Sequence, residues 1–132
     1  MLLFLGGVFN MKDEEIKISD LKEKVKKFCE EREWDQFHGA KELAIALIIE
    51  AAELLEHFRW KSEKEVKEMF KNEKKKEQIE DELADVLYFI LRFSQMYHID
   101  ISTTLERKIK KNEKKYPIDK FKGSNKKYNE VG

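Results

Sequence analysis

Glu50 and Glu53 stand three residues apart in LIIEAAELLEHF, and Glu82 and Asp85 repeat that spacing in EDELADVLYFI. On a helix, positions i and i+3 share a face, so each segment would present two carboxylates side by side. Leu43, Ala46, Leu47 and Leu54 fall on the face of the first pair, and Ile79, Val86 and Phe89 on that of the second. An ionised carboxylate in apolar surroundings is costly unless compensated, and carboxylates held close together also repel. No basic residue lies mid-face to balance them. A divalent cation would. An all-oxygen donor set without Cys or paired His suits a hard ion, Mg²⁺ with Mn²⁺ as the alternative. The plain alternative is a pair of surface helices laced by salt bridges. One Glu-x-x-Glu in a Glu-rich chain says little; two such pairs in apolar sequence favour a metal. A di-iron bundle wants Glu-x-x-His on two helices. Here His57 is four residues after Glu53 and His98 is not preceded by a matching acid, so iron fits poorly.

The elements that must position these acids read as helices. Ser19 or Asp20 caps a first helix, with Leu21, Val25 and Phe28 on one side and an end near Arg32. EREWDQFHGA is an unusually aromatic connector. A second helix covers about 40–58. It is apolar almost all round, with Ile45, Ile48, Ala52 and Leu55 opposite the acids, which predicts burial on nearly every side. Ser62 and Glu65 form a capping box for a short surface helix, SEKEVKEMFKN. A fourth, long helix spans about 75–97, roughly antiparallel to the second. Thr103 with Glu106 opens a fifth, which reaches Lys115 and stops at Pro117. The expected fold is all-α, a four- to five-helix bundle. The layout is an N-terminal extension over 1–17 without fixed structure, a helical catalytic domain over 18–116, and an aperiodic basic tail over 117–132.

Composition limits the function classes. The 132 residues suit one domain. Lys+Arg and Asp+Glu are both 27, and this zero net charge argues against a nucleic-acid partner. The single cysteine, Cys29, cannot form an intramolecular disulfide, which fits a reducing, cytoplasmic setting. MLLFLGGVF is too short to span a membrane and lacks signal-peptide flanks, so no membrane association is expected. Either Met11 is the natural start or the first ten residues are a loose extension. No nucleophilic triad and no Gly-rich phosphate loop is present.

Taken together, Glu50-x-x-Glu53, Glu82-x-x-Asp85, EREWDQFH, EAAELLEHFRWKS, DELADVLYF, KKNEKKYP and KGSNKKY resemble the MazG-type all-α nucleotide pyrophosphohydrolases, most closely the dCTP pyrophosphatase branch. The likeness runs from about Ile18 to Tyr128. It implies Mg²⁺-dependent hydrolysis of a nucleoside triphosphate between the α and β phosphates, giving monophosphate and pyrophosphate. It makes Glu50, Glu53, Glu82 and Asp85 the metal-binding acids. One of them, Glu53 by preference with Glu50 beside it, would orient or deprotonate the attacking water. Trp34, His38 and Trp60 match positions around the base, and Lys108, Asn112 and Tyr116 match positions near phosphates and sugar. The chain departs from these relatives at Phe89, where they carry tyrosine, so the reaction is better supported than dCTP as substrate. A homodimer or homotetramer is expected, both from the resemblance and from the apolar circumference of the second helix. The rival reading is a non-catalytic helical binding or scaffold protein of the same fold. Such a protein has no reason to keep four acids in apolar sequence.

Overall fold

The computed structural model describes residues 12–131, so the apolar N-terminal stretch and the question of Met11 lie outside the described residues. The chain divides into two units, one ending at His98 and the other beginning at Ile99. Among the described residues every regular element is helical, as expected.

The first unit contains α1 (Ile18–Glu30), a 3-10 turn (Asp35–Phe37), α2 (Ala40–Glu56), α3 (Glu63–Met69) and α4 (Glu73–Met96). The start of α1 differs from the expected Ser19 or Asp20 cap. Lys17 is the cap position, and Asp20, in the first turn, reaches back to accept the Lys17 backbone N–H at 3.0 Å. The box that opens α3 is as expected. Glu65 donates its backbone N–H to Ser62 Oγ at 3.2 Å, and the Ser62 N–H returns to Glu65 Oε2 at 3.1 Å. Asn72 caps α4 by accepting the Lys75 N–H at 3.0 Å.

Helix α4 is the spine, because both α1 and α2 pack on it. Leu43 of α2, Cys29 of α1, and Ile79 and Leu91 of α4 are the fully buried apolar side chains of this seam. Helices α2 and α4 run antiparallel. His38, just before α2, bonds Arg92 near the end of α4, while His57, just after α2, shares a pocket with Lys75 at the start of α4.

One expectation fails within the chain. Helix α2 is not enclosed on nearly all sides: Leu43 is 1% exposed, but Ile48 is 70% and Leu55 62% exposed, and Ile45 is also open. Its main packing partner is α4, on one side, and its opposite apolar face is left uncovered by the described elements.

The second unit contains α5 (Ile101–Lys115), α6 (Ile118–Phe121) and a 3-10 turn (Tyr128–Glu130). Asp100, rather than Thr103, caps α5: its Oδ1 accepts the Thr103 N–H at 3.0 Å. Pro117 follows the end of α5 as expected, but the tail is not aperiodic. Pro117 occupies the cap position of α6, where its fixed φ of −62° suits a new turn. The Tyr116 ring then packs edge-on against Phe121 and Tyr128, with centroids 5.0 and 6.3 Å away.

Leu43 is almost wholly buried, so Leu43→Ala should lower unfolding free energy by about 2–4 kcal/mol in urea denaturation.

Candidate active site

Glu50, Glu53 and Glu82 converge where α2 crosses α4, each offering a carboxylate oxygen, all within 4.8 Å of one another. The spacing within α2 places the first two on one face, and the antiparallel packing brings Glu82 opposite them. Glu50 and Glu82 are half-buried, and each has its Oε2 shut away from solvent with no hydrogen-bond partner. Glu53 is exposed and lies close enough to both for its carboxyl to raise theirs. Asp85 lies outside the tight triplet but near enough that its charge acts on Glu50 and Glu82. It lines the same pocket as Glu50.

The electrostatics follow from this crowding. Burial pushes the Glu50 carboxyl up to about 7, helped by the hydrogen bond and charge of Glu53 and the charges of Asp85 and Glu82. Glu82 is also raised, first by burial and then by Glu53 and Asp85, with His57 opposing. Two buried oxygens without partners and a triplet of acids that resist ionising together form a set of donors that a cation could satisfy. The donors are all oxygen, which suits a hard divalent ion.

Beside the acids lies a pocket of about 470 Å³. Val25, Phe28, Trp34, Tyr88 and Phe89 make its apolar wall, with Glu50 and Asp85 on one edge and Lys24 also at its rim. Trp34 meets Phe28 edge-on at 5.7 Å. The Tyr88 hydroxyl is engaged with buried Cys29, 2.9 Å from its Sγ, which together with burial holds the phenol well above its usual range. Trp34 lines this pocket, next to Glu50 and Asp85.

His38 and Trp60 do not line this pocket. The His38 ring touches Trp34 edge-on at 6.1 Å, but its Nδ1 accepts a 2.9 Å hydrogen bond from Arg92 Nε. A guanidinium cannot accept, so that nitrogen carries no proton. Burial first, then the Arg92 charge, lowers the imidazole below its ordinary range, with Asp35 opposing. Trp60 is 87% exposed at a positive φ of 64°, beneath the Arg59 guanidinium. Lys108 and Asn112 lie one turn apart on α5, and Tyr116 closes that helix; all three belong to the second unit.

Arg92 is the residue that sequence reasoning missed. Its side chain is fully buried; it bonds Asp35 and His38 of the connector and donates to Gln95 Oε1 at 2.6 Å. These bonds pin the connector that carries Trp34 against α4. The available signal was a lone cation in the apolar run YFILRFS, two helical turns after Asp85. Phe28 was legible on the apolar side of the first helix but not as a pocket wall, and Tyr88 carried no sequence signal.

Comparison with known proteins places the chain in a family. The MazG-like family model matches residues 45–131. dCTP pyrophosphatase 1 of Rattus norvegicus is 32% identical over 114 residues, covering 86% of this chain and 67% of that protein. The Homo sapiens protein of that name is 29% identical over the same shares. A crystal structure of a pyrophosphatase from Archaeoglobus fulgidus superposes with a TM-score of 0.71 at 35% identity, covering 82% of this chain and 99% of that one. The helical fold with acids at a two-helix crossing defines the class, a pyrophosphohydrolase enzyme. The chain belongs to the MazG-like family.

Two outcomes follow. Glu50 has a raised folded-state pKa, so the folded protein binds the extra proton between about 4.5, the ordinary value, and about 7. Metal-free stability should therefore fall as pH rises through that window, and a divalent cation should restore it; thermal melts with EDTA or added metal test this. Arg92→Met should cost about 2 kcal/mol, from lost charge-assisted bonds. It should also move the His38 titration upward, as followed by NMR.

Proposed function

We propose that this enzyme hydrolyses a nucleoside triphosphate between its α and β phosphates, with Mg²⁺ as its ion, releasing monophosphate and pyrophosphate. The preferred substrate is dCTP or a related or modified pyrimidine deoxynucleotide. The observation that carries this reading is that Glu50 belongs both to the carboxylate triplet and to the rim of an aromatic pocket. A base held against Trp34 would leave its phosphates beside the acids. The names of the mammalian relatives supply the base preference.

Glu50, Glu53, Glu82 and Asp85 would hold the ion, which when bound neutralises phosphate charge and acidifies water. Glu53 is the exposed member of the triplet and lies beside both of its neighbours. It is therefore placed to orient or take a proton from the attacking water. Trp34 and Phe28 would frame the base with ring edges and faces and exclude solvent there. For His38 the role is indirect, through its contact with Trp34. Lys108, Asn112 and Tyr116 keep the phosphate- and sugar-holding role that the family resemblance suggests.

The same reading includes a homodimer or homotetramer. Ile45, Ile48 and Leu55 recur at helical spacing on the open face of α2, and Leu83 and Leu87 of α4 are also exposed. An apolar stripe of this kind suits a two-fold contact with a second copy. The exposed Trp60 could then serve a neighbour's pocket. No helix among the described residues is long and apolar enough to cross a membrane. A cytoplasmic nucleotide pool is the proposed setting.

Incubation with a panel of deoxy- and ribonucleoside triphosphates, resolved by ³¹P NMR, should show metal-dependent monophosphate and pyrophosphate, fastest with a pyrimidine deoxynucleotide. Glu53→Gln should lower the rate at least about 100-fold. Diphosphate and inorganic phosphate as products would overturn the reaction. Light scattering should report a dimer or larger, and Ile48→Lys should shift it toward monomer.

A further inference from the structure

Arg92 lines neither the aromatic pocket nor the acid triplet, yet it is the largest fully buried side chain of the described residues. All three of its guanidinium nitrogens are engaged. Nε donates to His38 Nδ1 at 2.9 Å, Nη1 to Gln95 Oε1 at 2.6 Å, and Nη2 to Asp35 Oδ1. Taking a guanidinium out of water is costly, and much of what its pairs contribute goes to offset that cost. What the group supplies in return is position, because a planar fork holds its partners at set angles.

Two of those partners adjoin Trp34. Asp35 is the next residue, and the His38 ring meets the Trp34 indole edge-on at 6.1 Å. Trp34 stands on a stretch of backbone that needs holding. Glu33, just before it, lies in the left-handed region at φ 55°, which a side chain other than glycine adopts at a cost and which surrounding contacts must enforce. On the α1 side the Trp34 N–H donates to the Cys29 carbonyl at 3.0 Å. On the α4 side the hold is Arg92, which reaches the backbone next to Trp34 through Asp35 and the indole itself through His38. The wall that Trp34 contributes to the pocket is thus fixed from two helices, one of them through a side chain outside the pocket.

We propose that Arg92 is a positioning residue for nucleotide binding: through Asp35 and His38 it holds the Trp34 indole at the pocket, and so sets the affinity for the nucleoside. This rests on the proposed function, in which the base lies on Trp34. It gives His38 its part as well, since the imidazole is the link between guanidinium and indole. Lysine could not take the role, because an ammonium lacks the planar fork that His38, Gln95 and Asp35 meet.

The test measures binding of α,β-imido dCTP, which the proposed reaction cannot cleave, by calorimetry with Mg²⁺, alongside turnover of dCTP. The proteins are the full chain, Arg92→Met, Arg92→Lys, Asp35→Ala, Trp34→Leu and the Arg92→Met, Trp34→Leu double variant. Each is assayed at a temperature where circular dichroism shows it folded. Arg92→Met and Arg92→Lys should both weaken binding about tenfold, the scale of a base–aromatic contact, and raise KM while kcat holds. The Asp35 side chain is half-exposed, so Asp35→Ala should fold normally and lose affinity in the same direction, which keeps the test if Arg92→Met does not fold. In the double variant, Arg92→Met should add nothing to the loss from Trp34→Leu, because both act through one indole. Additive losses, an equal fall in kcat, or full affinity in Arg92→Met would overturn the proposal and leave Arg92 as support for the fold alone. A chain that shows the coupled losses but hydrolyses no triphosphate would support the positioning role and overturn the reaction. A chain that binds no analogue would overturn both.

Discussion

The mutual repulsion of carboxylates at the α2–α4 crossing is the constraint on which the rest depends. Helices alone would splay such acids into water. Here the packing of Leu43, Ile79 and Leu91 holds the two helices together and forces Glu50 and Glu82 into partial burial. The folded chain accepts a strained electrostatic arrangement because apolar contacts along the seam outweigh it. The strain shows in the raised pKa of Glu50 and in two buried oxygens without partners. A site that is uncomfortable when empty is suited to take up a cation.

Around that crossing, the seam is polarised. Toward the start of α2, α1 and the aromatic connector build an apolar wall, and Arg92 ties the connector to the spine. Arg92 is the chain's clearest buried cation, and its bonds to Asp35, His38 and Gln95 use its planar fork of donors, which lysine could not copy. Toward the other end, Glu53, Glu56, His57, Lys61 and Lys75 line a second, mixed-charge pocket.

The open face of α2 is explained by the same economy. A helix apolar all round needs neighbours all round. The first unit supplies α4 along one side only, and Ile45, Ile48 and Leu55 are left as exposed apolar surface rather than core.

The all-α class, the helix order and the identity of the acids were legible in the sequence. Apolar periodicity and the i, i+3 spacing are local properties that survive without any knowledge of packing. Caps were legible where the partners are reciprocal, as at Ser62 and Glu65. They were misplaced at Asp20 and Thr103, where several polar residues competed for one end. Only the tertiary structure decided which face of α2 is covered, that Asp85 stands back from the triplet, and that His38 serves Arg92 while Trp60 lies open. It also decided that Lys61 and Lys75 line one pocket. The physical reason is the same in each case: burial, charge coupling and pairing depend on what an antiparallel neighbour brings across the seam, and no local pattern records that neighbour's register.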